Sequence, residues 1–207
     1  MRKKINKQNR QKNGYTIIET MIAVSLFIII VMASMEALLN ANVLFQKSQS
    51  MRSIMDNLSF IMEDMSRNLR TGYTYHCITG ADTLSLASIN TAKSGSNCWG
   101  IAFESATGSV ANQSDQWVYY IDNTGKIFKS ILGPYDAASP NWVQLTPDEV
   151  VIDTGASGFS VLGAEPPSGG DRQQPFVTIR LVGTITFKNV ATPFSLQTSV
   201  SQRVVDI

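Results

Sequence analysis

The stretch that decides the fold is Tyr15 to Met35, YTIIETMIAVSLFIIIVMASM. It is apolar on nearly every face, and Glu19 is its single charged side chain. A run of roughly 20 such residues is long enough to cross the hydrocarbon core of a bilayer as a helix. Its β-branched residues (Ile17, Ile18, Ile28, Ile29, Ile30 and Val31) lower helix propensity in water. In lipid the backbone must bond to itself, and that requirement restores the helix.

Upstream of this run lies a cationic head. Arg2, Lys3, Lys4, Lys7, Arg10 and Lys12 precede Gly14, with no acid among them. The chain of 207 residues has a net charge of +1, with 17 basic and 16 acidic groups. Six of the basic groups sit in this head, so the remainder is acidic. A basic segment before an apolar one fits a targeting element held on the cytoplasmic side of a membrane. A basic arm for nucleic acid is the competing reading, and the membrane-length run that follows at once argues against it.

Downstream, no glycine or proline occurs from Tyr15 to Thr71. The spacing predicts one helix from about Thr16 to Arg70, with Gly72 where a helix cap is expected. Such a helix is roughly 80 Å long at 1.5 Å per residue, more than one small domain can cover. Part of it must lie in lipid or against other subunits. After Leu44 the pattern changes. Met51, Ile54, Met55, Leu58, Ile61, Met62, Met65 and Leu69 recur at steps of three and four and form one packing stripe. The opposite face carries Arg52 with Asp56 and Glu63 with Arg67, spaced as i,i+4 ion pairs.

Residues 73–207 read as β-rich. Candidate strands are Thr83–Ser88, Gly100–Phe103, Gln116–Asp122, Lys126–Ile131, Val150–Asp153, Phe159–Leu162, Phe176–Val182 and Phe194–Gln202. Asp122-Asn123-Thr124-Gly125 fits a hairpin loop better than a fragment of a calcium loop, because the other ligands of such a loop are missing. Gly163 to Gln174, rich in proline and glycine, reads as a flexible surface loop.

No signature of an enzyme is found. There is no Walker loop, no G-x-S-x-G, no H-E-x-x-H and no C-x-x-C, and His76 is the one histidine. No cofactor or metal site is expected: two cysteines and one histidine are too few for structural zinc. Asp148, Glu149 and Asp153 read as a solvated acidic edge. No basic-aromatic patch points to nucleic acid. Cys77 and Cys98 lie beyond the apolar run, so export would favour a disulfide between them; two free thiols are the alternative. A bridge would close a loop of roughly 20 residues, worth about 3 kcal/mol in the chain-entropy model.

Glu19 is the informative residue. A carboxylate in a lipid-facing helix costs on the order of 3 kcal/mol. A cut between Gly14 and Tyr15 would create an α-amine four residues before it. Anion and cation could then be neutralised within one chain or, at a one-subunit stagger, by a neighbour.

Gly14-Tyr15-Thr16-Ile17-Ile18-Glu19, after a short basic leader and before a long apolar helix, resembles the prepilin cleavage and methylation motif of type IV pilins, type II secretion pseudopilins and competence pseudopilins. The likeness covers residues 1 to about 40. It implies an α+β fold in which one long N-terminal helix, half membrane and half amphipathic, packs on a C-terminal antiparallel β-rich domain. It also implies the segments 1–14 (leader), 15–40 (membrane and filament core), 41–72 (amphipathic helix) and 73–207 (β domain). Gly14 would precede the cut, Tyr15 would be the N-methylated first mature residue, and Glu19 would be the registry carboxylate. Tyr15 departs from the commoner phenylalanine. Glu36 stands near the position where many major pilins have proline, which fits a minor subunit.

Met55-Asp56-Asn57-Leu58, Met65 to Gly72 and Phe194 to Arg203 are similar to J-type minor pseudopilins and W-type minor pilins. The implied protein is a structural filament subunit and not an enzyme. Its partners would be other pilin or pseudopilin subunits, a prepilin peptidase/methyltransferase and the membrane. It would be a single-pass inner-membrane protein with a cytoplasmic N-terminus, and later part of a periplasmic or extracellular filament. The main alternative is a bitopic signal-anchored sensor or adhesion domain, which would keep its leader and have no need of Glu19. A signal-peptidase site after the apolar run is poorly matched by Ala33-Ser34-Met35 and Met35-Glu36-Ala37.

Overall fold

A computed structural model describes residues 14–80, 82, 89–133, 141–169, 173–188 and 190–203. The leader up to residue 13 and the candidate strand Thr83–Ser88 lie outside the described residues. The chain divides into two compact units, Met1–Ser48 and Gln49–Ile207. One helix, α1 (Ile17–Thr71), runs through both.

In the first unit every residue from 14 to 46 is exposed. This part of α1 is long and apolar enough to cross a membrane. The hydroxyls of Thr20, Ser25 and Ser34 bond back to the carbonyls of Ile17, Ile22 and Ile30. Such back-bonding removes the cost of a polar group facing hydrocarbon.

In the second unit α1 packs on two antiparallel sheets. The strands are β1 (Tyr73–Ile78), β2 (Gly95–Cys98), β3 (Gly100–Glu104), β4 (Trp117–Ile121), β5 (Ile127–Ser130), β6 (Val143–Gln144), β7 (Val150–Ile152), β8 (Gly158–Leu162), β9 (Phe176–Phe187) and β10 (Val190–Ser201). One sheet has the order β1-β3-β4-β5-β6; the other is β10-β9-β8-β2, with β7 pairing the far half of β9. The fold is thus α+β, one long helix on an antiparallel β domain.

The helical stripe behaves as its period requires. Ile54, Leu58, Ile61, Met62, Met65 and Leu69 are buried, with Met51 and Met55 half-buried beside them. They share one core with Ile101, Phe103, Tyr119 and Ile127 of the first sheet and with Phe159, Val177, Ile179 and Leu181 of the second. Fully burying such a side chain is worth about 1.5–3 kcal/mol, so this core is the main reason the helix end is ordered. The two anticipated i,i+4 ion pairs do not form among the described residues. The acid on this stretch that finds a cation is Asp64, whose partner is Lys129 on β5 at 2.9 Å.

Gly72 does not cap the helix by turning left-handed; the left-handed residue is Thr74, at φ 54°. Glycine is needed at 72 because a Cβ would collide with the Phe103 ring. The last carbonyls of α1 accept from donors beyond the helix end. The Gly72 N–H bonds Asn68, the Tyr75 hydroxyl bonds Leu69, and the Arg203 N–H bonds Arg70 at 2.8 Å. These bonds satisfy groups that every helix end leaves open.

Other boundaries also moved. β9 runs past Val182 to Phe187, and β10 starts at Val190, ahead of Phe194. Gly183 and Pro193 suggest breaks, but Gly183 admits the β7 backbone and Pro193 sits on the edge strand β10, where a missing N–H is tolerated. The loop after Gly163 is not loose as far as residue 169. The Glu165 carboxylate accepts from the Ser94 N–H at 2.8 Å and from its hydroxyl, and Ala164 donates to Ser94 Oγ.

Candidate functional site

The residues marked for processing and register lie in the first unit. Gly14, Tyr15 and Thr16 are exposed and precede the helix, which starts at Ile17. Among the described residues nothing lies within 4 Å of where a Gly14 Cβ would be, so their packing does not demand glycine there. The Gly14–Tyr15 bond is therefore open, non-helical backbone. The carbonyl of Thr16 accepts the first helical bond, from the Thr20 N–H at 3.2 Å. Its hydroxyl accepts from the Glu19 N–H at 3.4 Å. Thr16 is the N-cap of α1, and Thr16-Ile17-Ile18-Glu19 has the T-x-x-E spacing of a capping box. That signal stands in the sequence at Thr16 and Glu19. The carboxylate also lies in the first turn, where the helix dipole favours an anion.

In the second unit Cys77 on β1 and Cys98 on β2 form a disulfide, with Cα atoms 5.4 Å apart. The bridge links the strand that follows α1 to the sheet that does not contain it. Gly95 packs against its sulfur, leaving no room for a side chain.

The ionisable side chains of this unit fall into separate, locally satisfied groups. His76 is buried, and its Nδ1 lies 2.6 Å from the Thr91 carbonyl oxygen. A carbonyl only accepts, so Nδ1 carries the proton. Burial pushes the imidazole pKa down. Asp82 is 4.0 Å from His76 Nε2 but only 2.6 Å from Lys93 Nζ. Lys93 is the leading cause holding Asp82 down at about 2. That carboxylate serves the lysine, so no acid–base dyad forms with the histidine.

Glu104 is different. It is 1% exposed, and its Oε2 has no hydrogen-bond partner among the described residues. Burial, and then the neighbouring Asp115 charge, raise its pKa to about 7. Below that pH the carboxyl is mostly neutral, which lowers the cost of burying it at the end of β3.

Asp122 builds the expected hairpin turn. Its Oδ1 accepts from the Thr124 and Lys126 N–H groups at 3.0 and 2.7 Å, and Gly125 takes φ 73°. Asp148 and Asp153 are also engaged, with Gln144 and with the N–H groups of the following turn. Among the described residues no three His, Cys, Asp or Glu side chains are grouped to hold a metal.

The charge-bearing features thus remain in two places: the helix start at Gly14 to Glu19, and the isolated pairs of the β domain. Compared with known proteins, the chain matches no family model, no curated protein and no solved structure.

Proposed function

We infer that this chain is a minor pilin or pseudopilin, a structural subunit of a type IV pilus or type II secretion-type filament. The observation that carries the reading is the order of features along the first unit. An open Gly14–Tyr15 bond is followed by a capped helix whose membrane-length apolar surface is exposed on every side, and Glu19 is the one charge within it. An exposed helix of this kind needs lipid or equivalent helices around it. A prepilin peptidase would cut after Gly14 and methylate the Tyr15 amine. Before assembly the subunit would be a single-pass inner-membrane protein with its N-terminus in the cytoplasm. On assembly, Glu19 would neutralise a neighbour's amine and set the axial stagger, while the β domain faces outward. Catalysis plays no part in this reading.

The test is N-terminal sequencing of the protein extracted from membranes of cells with an active prepilin peptidase. A start at methylated Tyr15 is expected. Mature protein that retains Met1 would overturn the reading in favour of a signal-anchored sensor or adhesion domain.

A further inference from the structure

A cleft of about 690 Å³ opens on the β domain between Trp99, the β4–β5 turn and the turn after β7. Trp99, Tyr120, Asp122, Asn123, Thr124 and Thr154 line it. Its volume is in the range of about 300–1,000 Å³ usual for clefts that hold small ligands. We propose that this cleft binds a neutral oligosaccharide.

The wall is aromatic and fixed. Trp99 meets Tyr120 edge-on, with ring centroids 6.1 Å apart and planes at 83°. Tyr120 is in turn stacked on Phe128 at 5.3 Å and abutted by Trp142 at 4.6 Å. Rings held in this way present a preformed apolar corner and lose little freedom when a ligand arrives.

The rim is polar and equally fixed. Asp122 is locked by the N–H groups of Thr124 and Lys126, and the Gly125 carbonyl accepts from the Ile152 N–H at 2.9 Å, which ties the turn to β7. Asn123 and Thr154 stand exposed at the edge. A pyranose has an apolar C–H face and a girdle of hydroxyls, the two surfaces that this wall and rim complement.

Charge selects among sugars. Among the described residues, the lining holds one carboxylate and no cation. The nearest lysine on the turn, Lys126, directs its ammonium to the carbonyls of Pro147, Asp148 and Val150. Phosphates, nucleotides and uronic or sialic acids would meet Asp122 unopposed, and such like-charge placement disfavours them. The site does not depend on whether the chain enters a filament.

The test uses the full-length chain in lipid nanodiscs, free of sugar-headed detergents. Chitohexaose, maltohexaose and cellohexaose are titrated while tryptophan fluorescence is followed, with hexagalacturonate as the anionic control. At least one neutral hexasaccharide should bind with a Kd below about 1 mM. The double variant Asn123→Ala/Thr154→Ala, confined to exposed rim positions, should weaken it about tenfold or more while leaving the melting temperature unchanged. Asp122→Asn should let hexagalacturonate bind. The proposal is overturned if none of the three binds at about 10 mM, if the rim variant binds as wild type does, or if hexagalacturonate matches the neutral sugars on the native protein.

Discussion

Lys129 on β5 reaches Asp64 on α1 at 2.9 Å, and the same carboxylate accepts from the Tyr119 hydroxyl and the Asn68 amide, each at 3.0 Å. The helix is thereby pinned to the first sheet by a polar clamp set beside the apolar core. The Lys129 ammonium also lies 4.7 Å above the Trp117 ring. Burial alone would raise the Asp64 pKa, but the lysine and the two hydrogen-bond donors outweigh it and hold the carboxyl below its usual value.

Breaking the clamp from one side should cost more than removing it. Lys129→Met leaves Asp64 half-buried without its cation and should destabilise the β domain by about 1–3 kcal/mol near neutral pH. Adding Asp64→Asn should recover part of that loss. Because the folded-state pKa is depressed, the clamp's contribution is present above the ordinary Asp range near 3.8 and fades as pH falls through the lower folded value. Urea unfolding of the variants from pH 7 to pH 3 checks both points; an unchanged difference across that range would contradict the clamp.

Glu104 has the opposite sign. Its folded pKa, about 7, lies above the ordinary value of 4.5, so the folded state holds the proton more tightly. Its own contribution to stability is complete below about pH 4.5 and declines as pH rises from there through about 7. Glu104→Gln stays neutral throughout. It should match wild type near pH 4 and exceed it at pH 8 by on the order of 2–3 kcal/mol. Thermal melts at the two pH values decide the matter, and equal melting temperatures at pH 8 would refute it.

The Cys77–Cys98 bridge should be present in protein taken from the cell envelope without reductant, seen as a loss of two hydrogens by mass. The double variant Cys77→Ala/Cys98→Ala should lower stability by about 3 kcal/mol. Gly95→Ala should also destabilise with the bridge intact, because its methyl group has no room beside the Cys77 sulfur. Two alkylatable thiols in the native protein would defeat the first claim.

Glu19 has two candidate tasks that one substitution separates. Glutamine serves a capping box as well as glutamate does, but it carries no charge. If the carboxylate pairs with a neighbour's amine, Glu19→Gln should still be cut and still sit in the membrane. Its recovery in sheared filaments should fall several-fold, and Glu19→Leu should fall further. Wild-type recovery of Glu19→Gln would leave Glu19 only its local role at Thr16.

The helix, its stripe and most strands were legible because their periods are local properties of the chain. The buried set from Ile54 to Leu69 follows from spacing alone. β1, β2 and β6 were not legible, for physical reasons. β1 carries a left-handed Thr74 and a break in register, β2 is Gly-Ser-Asn-Cys with no apolar alternation, and β6 is a two-residue edge. Each forms because its neighbours supply a partner. The same holds for sites. Gly14, Tyr15, Thr16 and Glu19 are adjacent in sequence, whereas Trp99, Tyr120 and Thr154 meet only after the sheets close. Asp64 and Lys129, on separate elements, carry no sequence signal of their pairing, whereas i,i+4 spacing on one helix is visible in the sequence whether or not the pair forms.

The bond from the Arg203 N–H to the Arg70 carbonyl has a bearing on the order of events during synthesis. β10 follows every other strand, yet it seals the helix end and covers β9 along its full length. Until it is added, the core lacks Phe194, Val200 and the flanking Leu196. The final closure of the helix end and of the outer edge of β9 waits for this strand, and the contact it makes with the helix is long-range and therefore slow to form.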